Sequence, residues 1–352
     1  MTKQLVLIKN IVQSNYKRLD FPYKLTFVVT YKCQSKCVVC SIWKKKPQNE
    51  LTLDEIEKFF KKSNKFSWID VTGGEIFLRS DIVDIFRIII ENCRNLYHIH
   101  SPTNGLMPSL TEERVKKILE LKPNRFVVTV SLDGPKELND YLRGVKGDFD
   151  KVIETVKRLK KVEDKNFKVV IGFTLSKLNK GTFQKMVEEV KKEIPEMKNE
   201  DFHMNIVHSS SHYYDNKEVD VAKNELKEDI KNFRDSRRDK FTPIGFLEHR
   251  YLKMADRYLE TGKTPVTCQA LAGSVFLDSF GDIYPCTIYS KKMANIREID
   301  FDLEKYWQEE AVKTLRKEIE EGKCPHCWTP CEAYQSILAN LGNFRHTEKP
   351  KL

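Results

Sequence analysis

Short runs of apolar and β-branched residues alternate along this chain with longer stretches whose apolar positions recur every three to four residues. The strand-like runs fall at 24–30, 68–73, 97–103, 125–132, 168–175 and 201–208. Helix-period segments lie between them, at 52–63, 81–93, 111–121, 149–161 and 182–192. Several carry start signals: Thr52 stands three residues before Glu55, Asp81 opens the next segment, and Thr111 precedes two glutamates. Repeated strand–helix units predict a parallel sheet with right-handed crossovers. Six units suit an incomplete barrel better than a closed one, which takes eight, and functional residues then belong at the C-terminal ends of the strands.

Beyond Ser209 the alternation fades. A polar run, 209–216, leads into helical stretches at 221–237 and 243–259. From about 262 the composition shifts to Cys, Gly and short strand signals such as 274–277, and Phe280-Gly281-Asp282-Ile283-Tyr284 reads as a hairpin turn. The expected division is an N-terminal extension (1–23), a partial (β/α)6 TIM-type barrel (24–220), a helical linker (221–261) and a C-terminal domain (262–352).

Nine cysteines lie mostly in two tight groups, which favours metal binding in a reducing compartment over disulfides. Cys93, alone on an apolar helix, is expected in the core. No run approaches the roughly 18 apolar residues of a membrane span, and the N-terminus lacks signal-peptide features, so a cytoplasmic protein is expected. The net charge of +10 is spread as alternating Lys and Glu along helix faces, such as 185–192 and 225–231. No basic block with interleaved aromatics argues for nucleic acid.

The chemistry starts at Cys33-Gln34-Ser35-Lys36-Cys37-Val38-Val39-Cys40, directly after the first strand. Thiolates spaced four and three apart can wrap one corner of an iron–sulfur cube. Three ligands leave one iron open, and an open position separates a reactive metal centre from a structural one. Zinc is the alternative occupant. Thr72-Gly73-Gly74-Glu75, Thr103-Asn104-Gly105 and Ser131-Leu132-Asp133-Gly134 then end the second, third and fourth strands.

Together these motifs resemble the radical S-adenosylmethionine (SAM) superfamily, in the branch with auxiliary-cluster domains. The resemblance implies that Cys33, Cys37 and Cys40 hold a [4Fe-4S] cluster whose open iron chelates SAM. Reduction would then yield a 5′-deoxyadenosyl radical that abstracts hydrogen. It further implies that Gly73, Gly74 and Glu75 meet the SAM ammonium. Asn104 belongs to the same cofactor site, Ser131 reaches ribose or carboxylate, Arg143 pairs with the carboxylate, and Leu175 packs near adenine. Val39 replaces a usual aromatic, and Ile76 a frequent proline.

Cys268, Cys286 and the run Cys324-Pro325-His326-Cys327-Trp328-Thr329-Pro330-Cys331 resemble the C-terminal SPASM and twitch domains. With no cysteine after Cys331, the shorter, one-cluster twitch form fits better. Its expected ligands are Cys268, Cys286, Cys324 and Cys327, with Cys331 replacing one of them or lining the site as a free thiol. A four-thiolate zinc site has the same arithmetic. A fully ligated auxiliary cluster implies electron relay, hence net oxidation or bond formation, with a reducing partner such as flavodoxin or ferredoxin.

The substrate is least specified: a small molecule or a peptide. His208, His212 and Tyr213 are candidate catalytic groups on the segment after the sixth strand, the histidines having a suitable intrinsic pKa for a base. Three alternatives remain: a peptide or protein maturase (for ribosomal peptides, or resembling anaerobic sulfatase maturases), a non-catalytic iron–sulfur electron carrier, and a zinc-stabilised nucleic-acid-binding protein. Intact Gly73, Gly74, Glu75 and Ser131 argue against the carrier, which needs no SAM pocket.

Overall fold

In the computed structural model, residues 1–216, 219 and 224–341 are described. Helix α1 (Lys3–Ser14) precedes strand β1 (Lys24–Thr30). The repeats follow as α2 (Leu53–Lys62), β2 (Trp68–Gly73), α3 (Ile82–Asn92), β3 (His98–Thr103), α4 (Pro108–Glu120), β4 (Phe126–Ser131), α5 (Lys136–Arg143), α6 (Asp148–Lys160), β5 (Phe167–Leu175), α7 (Phe183–Glu193) and β6 (Phe202–Ile206). Next come α8 (Lys227–Ser236), α9 (Pro243–Thr261), β7 (Ser274–Leu277), β8 (Asp282–Tyr284), β9 (Ala294–Asn295), α10 (Leu303–Tyr306), α11 (Glu310–Glu320) and α12 (Pro330–Leu338).

Strands β1 to β6 pair in parallel, each with its sequence neighbour, and the sheet is open. The side chains alternate as the pleat requires. Leu25, Phe27, Ile69, Val71, Val128, Ile171 and Phe173 are buried in the apolar core. The intervening positions, among them Thr26, Asp70, His100, Thr129, Gly172 and Asn205, line a central cavity. Polar residues at every second strand position are what a hollow partial barrel requires, since a closed barrel fills its interior with side chains.

Helix α4 starts at Pro108 rather than Thr111, because proline at the first helical position lacks only an N–H that would be unpaired there anyway. The strand signals of the expected C-terminal domain extend the barrel sheet: β7 pairs in parallel with β1, Lys24 opposite Ser274 through Phe27 opposite Leu277. Strands β8 and β9 then add in antiparallel fashion, giving nine strands. Helix α2 is also tied to this part of the chain. Its capping box joins Thr52 and Glu55, and Arg297 Nη2 donates to Glu55 Oε2 at 3.0 Å. Helix α1, expected only as an extension, packs at the barrel base, where Asn15 Nδ2 donates to the Leu338 carbonyl at 2.8 Å. The part of the expected 221–237 helix at 221–223 lies outside the described residues, as does 342–352.

Candidate active site

The cysteine loop is held from three directions. From β2, Gly74 N–H donates to the Thr30 carbonyl (2.9 Å) and Glu75 N–H to that of Lys32 (2.8 Å). A Cβ on Gly73 would lie 2.2 Å from the Thr30 oxygen, and one on Gly74 2.4 Å from the Lys32 oxygen. Glycine is therefore required at both for the two backbones to approach. From the end of α5, the Arg143 and Leu142 carbonyls accept from Lys36 and Val38 N–H at 3.1 and 2.9 Å. From the segment after β6, Asn216 Nδ2 donates to the Val39 carbonyl at 2.8 Å.

This scaffold brings Cys33, Cys37 and Cys40 to the rim of one cavity of about 620 Å³. Gly73, Gly74, Asn104, Ser131, Arg143 and Tyr213 line it with them. Burial pushes the Cys37 and Cys40 thiols up to about 11 and about 12, opposed at Cys37 chiefly by the Arg143 guanidinium. Thiols so placed become thiolates only with compensating cationic charge, which iron supplies. Arg143 donates from Nη1 to Asp133 Oδ2 (3.1 Å), while its buried Nε has no partner among the described residues. That guanidinium edge fits a ligand carboxylate.

Two expected SAM contacts are oriented otherwise. The Glu75 carboxylate is fully buried and accepts from Thr103 Oγ1 (3.0 Å to each oxygen), Asn104 N–H (2.7 Å) and Phe77 N–H (3.1 Å). It fixes the Thr103-Asn104-Gly105 turn, leaving the glycine backbone to face the cavity. Leu175 points into the helix-side core, because on β5 the even-numbered residues Gly172 and Thr174 face the cavity.

Of the candidate acid–base groups, Tyr213 lines the cavity with its hydroxyl 3.0 Å from Thr72 Oγ1. His208 borders it too, but both ring nitrogens are engaged. Nε2 accepts from Trp328 N–H (2.9 Å), and Nδ1 therefore donates to the Ile206 carbonyl (2.7 Å). Burial pushes His208 down to about 4. His212 stacks on Tyr284 (4.2 Å) and bonds Ser290 through Nδ1 at 3.0 Å, away from the cavity lining.

The sequence reading missed the deeper cavity wall. Lys24 and Asp70 form a buried pair at 3.1 Å; Trp68 Nε1 donates to Asp70 at 2.8 Å, and His100 Nδ1 lies 3.5 Å from it. Burial opposes the Asp70 charge, yet Lys24 and His100 hold its carboxyl well below the usual range. Higher up, Glu248 and Tyr334, which the sequence did not mark, meet His203, one of the polar residues the sixth strand places toward the barrel mouth. The available signal was the polar residue at alternate strand positions.

Cys268, Cys286, Cys324 and Cys327 form the second group. They lie near enough that Cys268 and Cys324 raise the Cys327 thiol, and Cys327 and Cys268 raise Cys286, in each case after burial. None of these four lines the cavity, whereas Cys331 does; its electrostatic neighbours are Lys24, Asp70 and Glu332. Among the described residues no three Cys, His, Asp or Glu side chains converge tightly enough for a single metal ion. The thiols of each group are close enough to raise one another, and the ligands of a multi-iron cluster bind different irons, so they need not converge on one point. Both donor sets are compatible with [4Fe-4S].

The family model described as the radical SAM superfamily matches residues 27–190, and that of the SPASM iron–sulfur cluster-binding domain matches 268–328. The chain is 23% identical over 350 residues to the antilisterial bacteriocin subtilosin biosynthesis protein AlbA of Bacillus subtilis, covering 92% of this chain and 71% of that one. It is 32% identical over 155 residues to Fe-coproporphyrin III synthase of Methanosarcina barkeri, covering 43% of this chain and 36% of that protein. The crystal structure of Streptococcus suis SuiB bound to precursor peptide SuiA has a similar fold (TM-score 0.58, 18% identity, 89% of this chain and 70% of that one). Among the described residues no helix is long and apolar enough to cross a membrane.

Proposed function

The chain belongs to the radical SAM superfamily and carries a C-terminal SPASM domain, and from that premise we propose that it is a maturase that oxidatively modifies a peptide. It is an enzyme that uses SAM, a SAM-binding [4Fe-4S] cluster and an auxiliary iron–sulfur cluster. When bound, the SAM-binding cluster supplies the electron that cleaves SAM to a hydrogen-abstracting 5′-deoxyadenosyl group.

Cys33, Cys37 and Cys40 hold that cluster in this reading. The Gly73–Gly74 backbone and the Arg143 guanidinium orient the amino and carboxylate groups of SAM, with Asn104 and Ser131 beside them. Tyr213 closes the wall through Thr72. Cys268, Cys286, Cys324 and Cys327 hold the auxiliary cluster behind the cavity, and Cys331 remains a thiol facing the substrate.

The peptide assignment rests on one observation: the similarity to AlbA runs through barrel and C-terminal domain alike. The match to the porphyrin enzyme takes in 43% of this chain, and a match of that extent says less about the substrate. A precursor peptide bound to a protein of similar fold supports the same choice. The test is anaerobic incubation with deuterated peptide fractions of the source cells, SAM and dithionite. Deuterium in 5′-deoxyadenosine from a peptide fraction is expected. Deuterium arriving only from non-peptide metabolites would replace this reading with a small-molecule oxidation.

A further inference from the structure

We propose that His203, held by Glu248 and Tyr334, is the proton acceptor of the substrate oxidation, the peptide donating an N–H, O–H or S–H proton to its Nε2. The inference rests on the peptide-maturase reading above. The residues come from three elements: His203 from β6, Glu248 from α9 and Tyr334 from α12. His203 Nδ1 lies 2.9 Å from Glu248 Oε1 and 3.1 Å from the Tyr334 hydroxyl, which itself donates to Glu248. All three line the cavity that holds the SAM-site cysteines.

A carboxylate on Nδ1 fixes the imidazole tautomer and leaves Nε2 as the basic nitrogen. His203 Nε2 has no partner among the described residues, in contrast to His208, whose two nitrogens are both engaged. Glu248 is 8% exposed, and its Oε2 is buried without a partner among the described residues. A structural staple would engage both imidazole nitrogens; here Nε2 is left to the cavity that His203 lines. Register places the group. His203 stands opposite Gly172, and Gly172 opposite Ser131, so one row across β6, β5 and β4 joins His203 to the proposed SAM contact. Gly172 adds no side chain of its own between them, and the Thr129 methyl packs where one would stand.

The oxidation balances with these parts. One substrate hydrogen leaves as an atom, breaking C–H and forming the C–H bond of 5′-deoxyadenosine. A second leaves as a proton to His203, and the remaining electron passes to the auxiliary iron–sulfur cluster while the new substrate bond forms. The charged and titratable groups facing His203 are Glu248 and Tyr251 of α9, Tyr334 of α12 and Arg237 ahead of α9.

The first test needs no substrate. In the oxidised holoenzyme with ¹⁵N-labelled histidine, NMR at neutral pH should show His203 protonated at Nδ1. Glu248→Gln, which can offer its NH₂ to Nδ1 in place of an acceptor oxygen, should shift the population toward the Nε2–H form. A wild-type resonance showing the Nε2–H form, or a tautomer balance unmoved by Glu248→Gln, overturns the assignment. The second test uses the peptide identified by deuterium transfer. His203→Gln should uncouple the two halves of the reaction, forming about 100-fold less product per deuterated 5′-deoxyadenosine released. Tyr334→Phe, which preserves packing, should move the pH profile. Product formed by His203→Gln at the wild-type rate would sink the proposal. Should the wild type turn over no peptide, the maturase reading fails, and the NMR result decides the His203 assignment by itself.

Discussion

Glu75 shows how far a motif letter and its role can part. The glutamate was legible in the sequence, but its function depends on what surrounds it. A fully buried carboxylate with donors from Thr103, Asn104 and Phe77 works as a brace for two loops. Replacing it with Gln presents an NH₂ to groups that all donate. Glu75→Gln should therefore lose about 1–3 kcal/mol of stability in urea unfolding, whereas a direct SAM contact would change SAM affinity without that loss. The cysteines separate in the same way. Spacing left five thiols for four positions, and the fold turns Cys331 into the cavity while the other four gather behind it. Cys331→Ser should keep about eight iron per chain, as two [4Fe-4S] clusters give, and Cys324→Ala should lower that count toward four. A fall with Cys331→Ser would move Cys331 into the ligand set.

At the level of elements, the six barrel strands were readable because apolar runs and helix periods alternate cleanly, and β1, β2 and β7 occupy the residues expected. Helix α5 was missed: its eight residues are too few to show a period, though its end carries Arg143 and the Gly144 that packs on the Lys36 carbonyl. The pairing of β7 with β1 was also invisible, since a four-residue strand carries no partner information. The deep wall is where strand alternation becomes energetics. Asp70→Asn leaves Lys24 buried without its counter-charge and should cost about 3–5 kcal/mol. His98, on β3, is pushed down to about 3, mainly by burial. Unfolded histidine titrates near 6.5, so between about pH 6.5 and 3 the unfolded chain binds the extra proton. Stability is then complete above 6.5 and declines as the pH falls through that window. The urea midpoint should follow this course, and His98→Gln should flatten it.

In the whole molecule, the C-terminal part is an extension of the barrel and a wall of its cavity. Strand β7 continues the sheet at β1, Trp328 N–H meets His208, and Tyr334 completes the group around His203. Electron acceptor, proton acceptor and hydrogen-abstracting centre would thus be assembled by one docking of the C-terminal segment onto the barrel. In the function proposed above, Cys33, Cys37 and Cys40 hold a cluster with an open iron for SAM. Mössbauer spectra of ⁵⁷Fe-enriched, oxygen-free protein before and after adding SAM test it most directly. One iron of one cluster should change its isomer shift on addition, and Cys37→Ala should lack that response. Spectra identical with and without SAM would contradict the account.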